Sequence, residues 1–240
     1  MASTVAEHIL SYISEQGLAP GDKLPAEMEM SRILGFSRNS MREAYSDLIA
    51  KSVINRKHGV GTFVAEPPIY NSPGVTFGFW RMIEAAGMTP GLTELDRGRV
   101  TPDDTLIKRF EWDAPRPLGY LRWLFLANGK PCVLIDHYIL PDVPMEAFTT
   151  DKVNNVLPPL QDHIQTEGAT LETLNSAELA HPDIAEILQV DSGTAILKNL
   201  ATIRSGDGSV ALCSTGWMSP AMVVARSVTP LSPLDFVKAP

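Results

Sequence analysis

The chain has 240 residues, 44% hydrophobic and 20% charged, with 20 Lys+Arg against 28 Asp+Glu for a formal net charge of −8. That length suits one large or two ordinary domains, and the apolar content is enough for a buried core, which excludes wholesale disorder. No run approaches the roughly 20 apolar residues that a bilayer span needs, so no membrane partner is expected. The opening MASTVAEHILSYISEQ carries Glu7 and no basic stretch, which does not fit a secretory signal. Cys132 and Cys213, both in apolar strand-like runs, read as buried thiols of a cytoplasmic protein. Taken as an average, the acidic charge argues against nucleic acid as a partner.

In chain order, Thr4 and Glu7 have capping-box spacing, and Val5, Ile9, Tyr12 and Ile13 mark the inner face of a first helix that Gly17 ends. After the Pro20-Gly21 turn, Pro25 opens a second helix with the apolar stripe Ala26, Met30, Ile33 and Leu34, closed by Gly35. Two residues later Ser37 N-caps a third helix. Met41, Ala44, Tyr45 and Leu48 face inward, while Arg38, Asn39 and Arg42 face out. Two short helices across a tight turn, the second opening on polar and basic side chains, form the helix-turn-helix layout. A helix fits the major groove, where Arg pairs with guanine and Asn with adenine. Residues 53–65, VINRKHGVGTFVA, then give two strands around the basic tip Lys57-His58-Gly59-Val60-Gly61, a wing suited to the DNA backbone or minor groove.

This order resembles the winged helix-turn-helix of the GntR family of bacterial transcription regulators. The residues that carry the resemblance are Pro20-Gly21-Asp22-Lys23-Leu24-Pro25, Glu27, Leu34-Gly35, Ser37-Arg38-Asn39-Ser40-Met41-Arg42-Glu43-Ala44 and His58-Gly59-Val60-Gly61-Thr62-Phe63-Val64. The resemblance implies that Arg38 and Arg42 are the main DNA contacts, with Ser37, Asn39 and Ser40 on phosphates or base edges. Lys57, His58, Gly59, Gly61 and Thr62 are implied at the wing. Met28 stands where the family often has Arg, so a phosphate contact is expected to be missing there.

Residues 66–74, EPPIYNSPG, read as an extended linker between a DNA-binding domain at 1–65 and a second domain at 75–240. There the pattern predicts a helix over 76–86, strands near 92–100, 117–127 and 131–140, a helix over 156–167 and a strand over 170–179. A short helix from His181-Pro182-Asp183 to Leu188 and strands at 194–204 and 209–218 follow. Asn128-Gly129 and Ser205-Gly206-Asp207-Gly208 are hairpin turns, so the expected class is α+β with an antiparallel sheet. The segments Ala85-Ala86-Gly87-Met88-Thr89-Pro90, Leu126-Ala127-Asn128-Gly129-Lys130-Pro131, Tyr138-Ile139-Leu140-Pro141 and Gly206-Asp207-Gly208-Ser209 resemble the UTRA effector domain of the HutC branch of the same family, which is similar to the chorismate lyase fold.

In sugar-phosphate-sensing members of that branch, small hydroxyl residues and an Arg-x-Arg pair hold phosphate, and an acid takes sugar hydroxyls. Those positions fall here on Gly78 and Trp80 and on Trp123 and Phe125, with Arg122 out of phase by one and the acid as Asp136. The mismatch speaks against a phosphosugar. The aromatic set Trp80, Trp123, Phe125, Tyr138 and Trp217 instead lines a cavity for an apolar or cationic group facing Asp136, or is simply core. Arg81, Arg122 and Arg204 are the candidates for an anionic group on the ligand.

The fold analogy also admits a small-organic-acid lyase or hydrolase, but Asp136 and His137 face opposite ways on a strand. No nucleophile-elbow, zinc or phosphate-loop motif occurs, and no catalytic residue, metal or cofactor is expected. The sequence thus reads as a ligand-responsive homodimeric regulator, a repressor, binding a double-stranded operator and a small-molecule effector. Residues 1–66 hold seven Lys+Arg against eight Asp+Glu, but 37–62 hold five against two. The acidic average conceals a small basic reading surface.

Overall fold

In the computed structural model, which describes residues 2–50, 53–65, 68–71, 78–151 and 153–226, the chain divides between Pro68 and Ile69 into two units. Residues 66, 67 and 72–74 of the expected linker, 76 and 77 of the expected fourth helix, and 227–240 lie outside the described residues.

The first unit consists of helices α1 (Ala2–Glu15), α2 (Glu27–Leu34) and α3 (Arg38–Ala50) and strands β1 (Lys23–Leu24), β2 (Ile54–Lys57) and β3 (Gly61–Val64). The strands form one sheet in the order β1-β3-β2. Thr4, expected at the start of α1, lies inside it, because the helix is already formed at Ala2. The expected inner residues Met41, Ala44, Tyr45 and Leu48 of α3 are all buried, against Val5 and Ile9 of α1 and Met30 of α2. The stripe of α2 is narrower than its sequence predicts: Ala26 is exposed and Ile33 is 48% exposed. An eight-residue helix has room for little more than the Met30–Leu34 ridge. Gly35 closes α2 at φ 74°, the left-handed cap that glycine adopts without a Cβ penalty.

The second unit contains β4 (Ile69–Asn71), α4 (Phe79–Ala85), β5 (Pro90–Val100), α5 (Asp104–Arg109), β6 (Leu118–Ala127), β7 (Lys130–Ile139), α6 (Leu157–Leu160), β8 (Thr170–Leu179), α7 (Pro182–Leu188), β9 (Ala195–Arg204), β10 (Val210–Met218) and β11 (Val223–Ala225). Six of the strands form one antiparallel sheet in the order β5-β6-β7-β10-β9-β8, the α+β arrangement expected from the hairpins. Ile69–Asn71, inside the stretch read as linker, pairs in parallel with β11.

Asn128 (φ 50°) and Gly129 (φ 77°) both take the left-handed conformation of a two-residue hairpin turn. The expected helix over 156–167 is a single turn, α6. Pro158 and Pro159 are tolerated only in a helix's first turn, and the chain then tightens through Gln161 N to Pro158 O and His163 N to Leu160 O bonds. Helix α5 was not expected. Its cap is local, with Asp103 Oδ1 accepting the Leu106 N–H at 2.8 Å.

One sheet face is covered by α4, the 3-10 turn Met145–Phe148 and α6, enclosing the main core around Trp123, Phe125, Ile139 and Phe148. Cores around α7 (Leu134, Ile184, Leu188) and around Phe110 and Leu118 are separate from it.

In the first unit, the Tyr45 hydroxyl donates to Pro25 O at 2.8 Å from a fully buried ring. Tyr45→Phe should destabilise that unit by about 1–2 kcal/mol, because the Pro25 carbonyl loses its donor. Far-UV circular dichroism in urea checks this. Tryptophan fluorescence should show an unshifted transition, since Trp80, Trp112, Trp123 and Trp217 all lie in the second unit.

Candidate functional site

The residues singled out by sequence fall in both units, and only some of them come together. In the first unit, Ser37 caps α3: its Oγ accepts the Ser40 N–H at 3.2 Å and shares a hydrogen bond with Ser40 Oγ at 2.9 Å. Arg38, Asn39 and Arg42 are exposed. They occupy the outer face because Met41, Ala44 and Tyr45 are drawn into the core.

At the wing, Lys57, His58 and Gly59 are exposed, and Lys57 Nζ sits 5.1 Å from the Phe63 ring centroid. Gly61 has φ 146°, a backbone conformation that other residues adopt only under strain, and a Cβ there would also displace the end of the Lys23 side chain, 2.6 Å away. Thr62 is a correction. It is only 7% exposed, since alternation along β3 turns Thr62 and Val64 inward, and its side chain is not presented at the surface. Arg56 is ion-paired to Glu27, which joins the wing to the start of α2.

In the second unit, a cavity of about 110 Å³ lies against the covered face of the sheet. Trp123 and Phe125 of β6, Ile135 and His137 of β7, and Ser214 and Gly216 of β10 line it from the sheet. Asn199, Ala201 and Ile203 of β9 continue that wall, and Phe79 and Asn155 close it from above. Among the expected ligand residues, only Trp123 and Phe125 are part of it.

The others go elsewhere for identifiable reasons. Trp80 donates to Glu84 Oε1 at 3.0 Å one turn along α4, and Arg81 is exposed on the same helix. Asp136 is on the opposite sheet face. Arg122 meets it bidentately, Nε to Oδ1 and Nη2 to Oδ2 both at 2.7 Å, and the Tyr120 hydroxyl donates to Oδ1 at 3.0 Å. Tyr138 is on that face too, its ring 5.6 Å from Tyr120. Trp217 donates to Glu178 Oε1 at 3.2 Å and packs with the α7 core. Arg204 pairs with Glu111 at 2.6 Å, at the end of a hairpin. Asp136 therefore offers no counter-charge to a cation in the cavity.

The sequence reading missed His137, Asn199 and Ser214. His137 is fully enclosed: Nδ1 lies 2.7 Å from Ser214 Oγ, the ring is edge-on to Trp123 at 5.3 Å, and Nε2 has no partner among the described residues. Burial pushes its pKa from 6.5 down to about 3, so the ring is neutral. The indole nitrogen of Trp123 is directed to Glu94 Oε2 at 3.4 Å, and Arg97 holds that carboxyl below the usual range. Cys132 is no nucleophile: burial pushes its thiol up to about 12.

Residues 1–64 match the bacterial regulatory proteins of the gntR family, and residues 85–223 match the UTRA domain. The HTH-type transcriptional repressor NagR of Bacillus subtilis is 25% identical over 197 residues, covering 80% of this chain and 79% of NagR. The histidine utilization repressor of Pseudomonas aeruginosa is 26% identical over 220 residues, covering 90% of this chain and 85% of that protein. The crystal structure of PhnF from Mycobacterium smegmatis has the same fold, with a TM-score of 0.67 over 95% of this chain and all of that one at 18% identity.

The depressed pKa of His137 ties stability to pH. Below pH 6.5 the unfolded chain takes up a proton that the folded ring refuses until about 3, so this group makes stability fall as pH drops through that window. The slope approaches about 1.4 kcal/mol per pH unit. Urea unfolding followed by tryptophan fluorescence should show an acid sensitivity smaller by about one proton in His137→Gln. An equal slope in the two proteins would mean that the folded ring titrates normally.

Proposed function

The chain belongs to the GntR family of bacterial regulators and carries a UTRA domain, and from that premise we propose a homodimeric, cytoplasmic repressor whose operator is read by α3 and released or gripped according to a small effector in the second unit. The observation that carries the DNA-reading half is the presentation of Arg38, Asn39 and Arg42 on the outer face of a capped helix whose opposite side is core. Arg38 and Arg42 are assigned to base edges, Asn39 to base or phosphate, and the Ser37–Ser40 pair to holding the first turn in place. Lys57, His58, Gly59 and Gly61 are assigned to the backbone or minor groove at the wing.

The effector is assigned to the cavity bordered by Trp123, Phe125 and His137. The sign of control follows NagR and the histidine utilization repressor, both repressors by name. Self-association is supported by β8, one of the two outer strands of the sheet. It is ten residues long, and Leu174 and Leu179 on it are 59% and 67% exposed. An antiparallel strand edge can pair with its own copy about a two-fold axis, and two reading heads then meet a pseudo-palindromic operator. Cytoplasmic location follows from the DNA partner. Among the described residues no helix is long and apolar enough to cross a membrane.

Selection of operator sites from random duplexes, followed by fluorescence anisotropy, tests the assignment. Arg42→Ala should cost about 1–3 kcal/mol at the selected operator and relax preference at one base position. Undiminished affinity would remove Arg42 from the reading surface. Lys57→Ala should weaken all duplexes alike and flatten the salt dependence by about one counterion.

A further inference from the structure

Three properties of the cavity restrict what fits inside. The first is size: at about 110 Å³ it is of the order of the roughly 150 Å³ apolar cavity that accommodates benzene, which is room for one ring. The second is charge. Among the described lining residues there is no Asp, Glu, Lys or Arg, so an ionised group brought there loses its hydration with nothing in exchange. Asp136 and Arg122, the nearest such pair in sequence, satisfy each other on the opposite sheet face.

The third is hydrogen bonding. Several polar groups of the lining are already committed: Trp123 Nε1 to Glu94, Asn199 Nδ2 to Asn175 Oδ1 at 2.9 Å, and Asn155 Oδ1, which accepts the Leu157 N–H at 2.9 Å. His137 uses Nδ1 on Ser214 and keeps Nε2 as a buried nitrogen without a partner among the described residues. A buried polar atom left unmatched is costly unless something completes it.

We propose that the effector is an uncharged, flat, single-ring molecule that packs against Trp123 and Phe125 and, by turning the His137 ring enough to open the covered Nε2 to the cavity, hydrogen-bonds that nitrogen through its one hydroxyl or amide group. This deepens the reading above and rests on the cavity being the effector site. Because burial keeps the imidazole neutral, it supplies no positive charge for a carboxylate at neutral pH. Either tautomer of His137 is compatible, since Ser214 Oγ can donate to Nδ1 or accept from it.

Tryptophan fluorescence of the full chain, titrated at neutral pH with phenol, benzoate, benzylamine and toluene, tests the class of ligand. Phenol should quench saturably, with benzoate, benzylamine and toluene each binding at least about tenfold more weakly. In His137→Leu the advantage of phenol over toluene should vanish while toluene still binds. Equal or tighter binding of either charged probe, or no saturation by phenol, overturns the proposal. Ala201→Leu, which narrows the cavity, separates this from the reading beneath it. If a charged probe binds tightly and Ala201→Leu abolishes that binding, the ligand class is wrong but the site stands. If no probe responds to Ala201→Leu, the site itself is wrong.

Discussion

Pro131 has no amide hydrogen, and where it meets β6 the ladder gives up a residue. Leu126 pairs with Pro131, but the next pair is Phe125 with Val133, so Cys132 is the extra residue of a bulge. Every pair beyond it moves by one: Trp123 faces Ile135 and Arg122 faces Asp136. Side chains alternate between faces, so this single step exchanges the two sides of β7. It gives His137 to the cavity and sends Asp136 to Arg122 and Tyr120. At 4% exposure the Asp136 carboxylate would be expensive without such partners, and three hydrogen bonds from charged or hydroxyl donors offset its burial. The neutrality of the cavity and the ion pair behind it are two results of one register shift.

In the first unit, charge is similarly local. Of the five basic residues between 37 and 62, Arg56 is taken up by Glu27 and Lys57 rests over Phe63, and Lys51 lies outside the described residues. Arg38, Arg42 and Lys57 remain exposed, a small basic set on a chain whose net charge is −8. In the reading proposed above, attraction to arbitrary DNA is weak and discrimination rests on Arg38, Asn39 and Arg42 on the outer face of α3.

The sheet was legible where each residue reports on its own neighbourhood. Asn128-Gly129 fixes a two-residue turn, Gly35 and Ser37 bound two helices, and Pro182 opens α7, all within a few residues of the feature they determine. The cavity was not legible for the same reason. An unbroken two-residue hairpin pairs Trp123 with Leu134 and puts Asp136 beside Trp123 and Phe125, which is how the sequence groups them. The bulge that reverses this depends on how β7 packs against β6 and β10, information that Cys132 and its neighbours do not carry alone. Trp80 and Trp217, each next in sequence to a lining residue, turn away from the cavity, and each finds a carboxylate for its indole nitrogen. The exposed Ile33 and the single turn of α6 show the same limit: periodicity announces a helix but not how much of it the core can use.

The short pair β4–β11 closes the second unit on itself. The strands run parallel, Ile69 N bonds to Met222 O and Arg226 N to Asn71 O, and β4 begins one residue after the first unit ends at Pro68. Because the strands run parallel, Ile69 and Val223 lie at the same end of the pair, the end at which β11 continues back to β10. The other half of the pair is continuous, through Ser219, with β10, whose Ser214 and Gly216 wall the cavity. A three-residue clasp thus ties the first residues of the second unit to the strand that walls its cavity, so the two ends of that unit are closed on each other by the same few bonds.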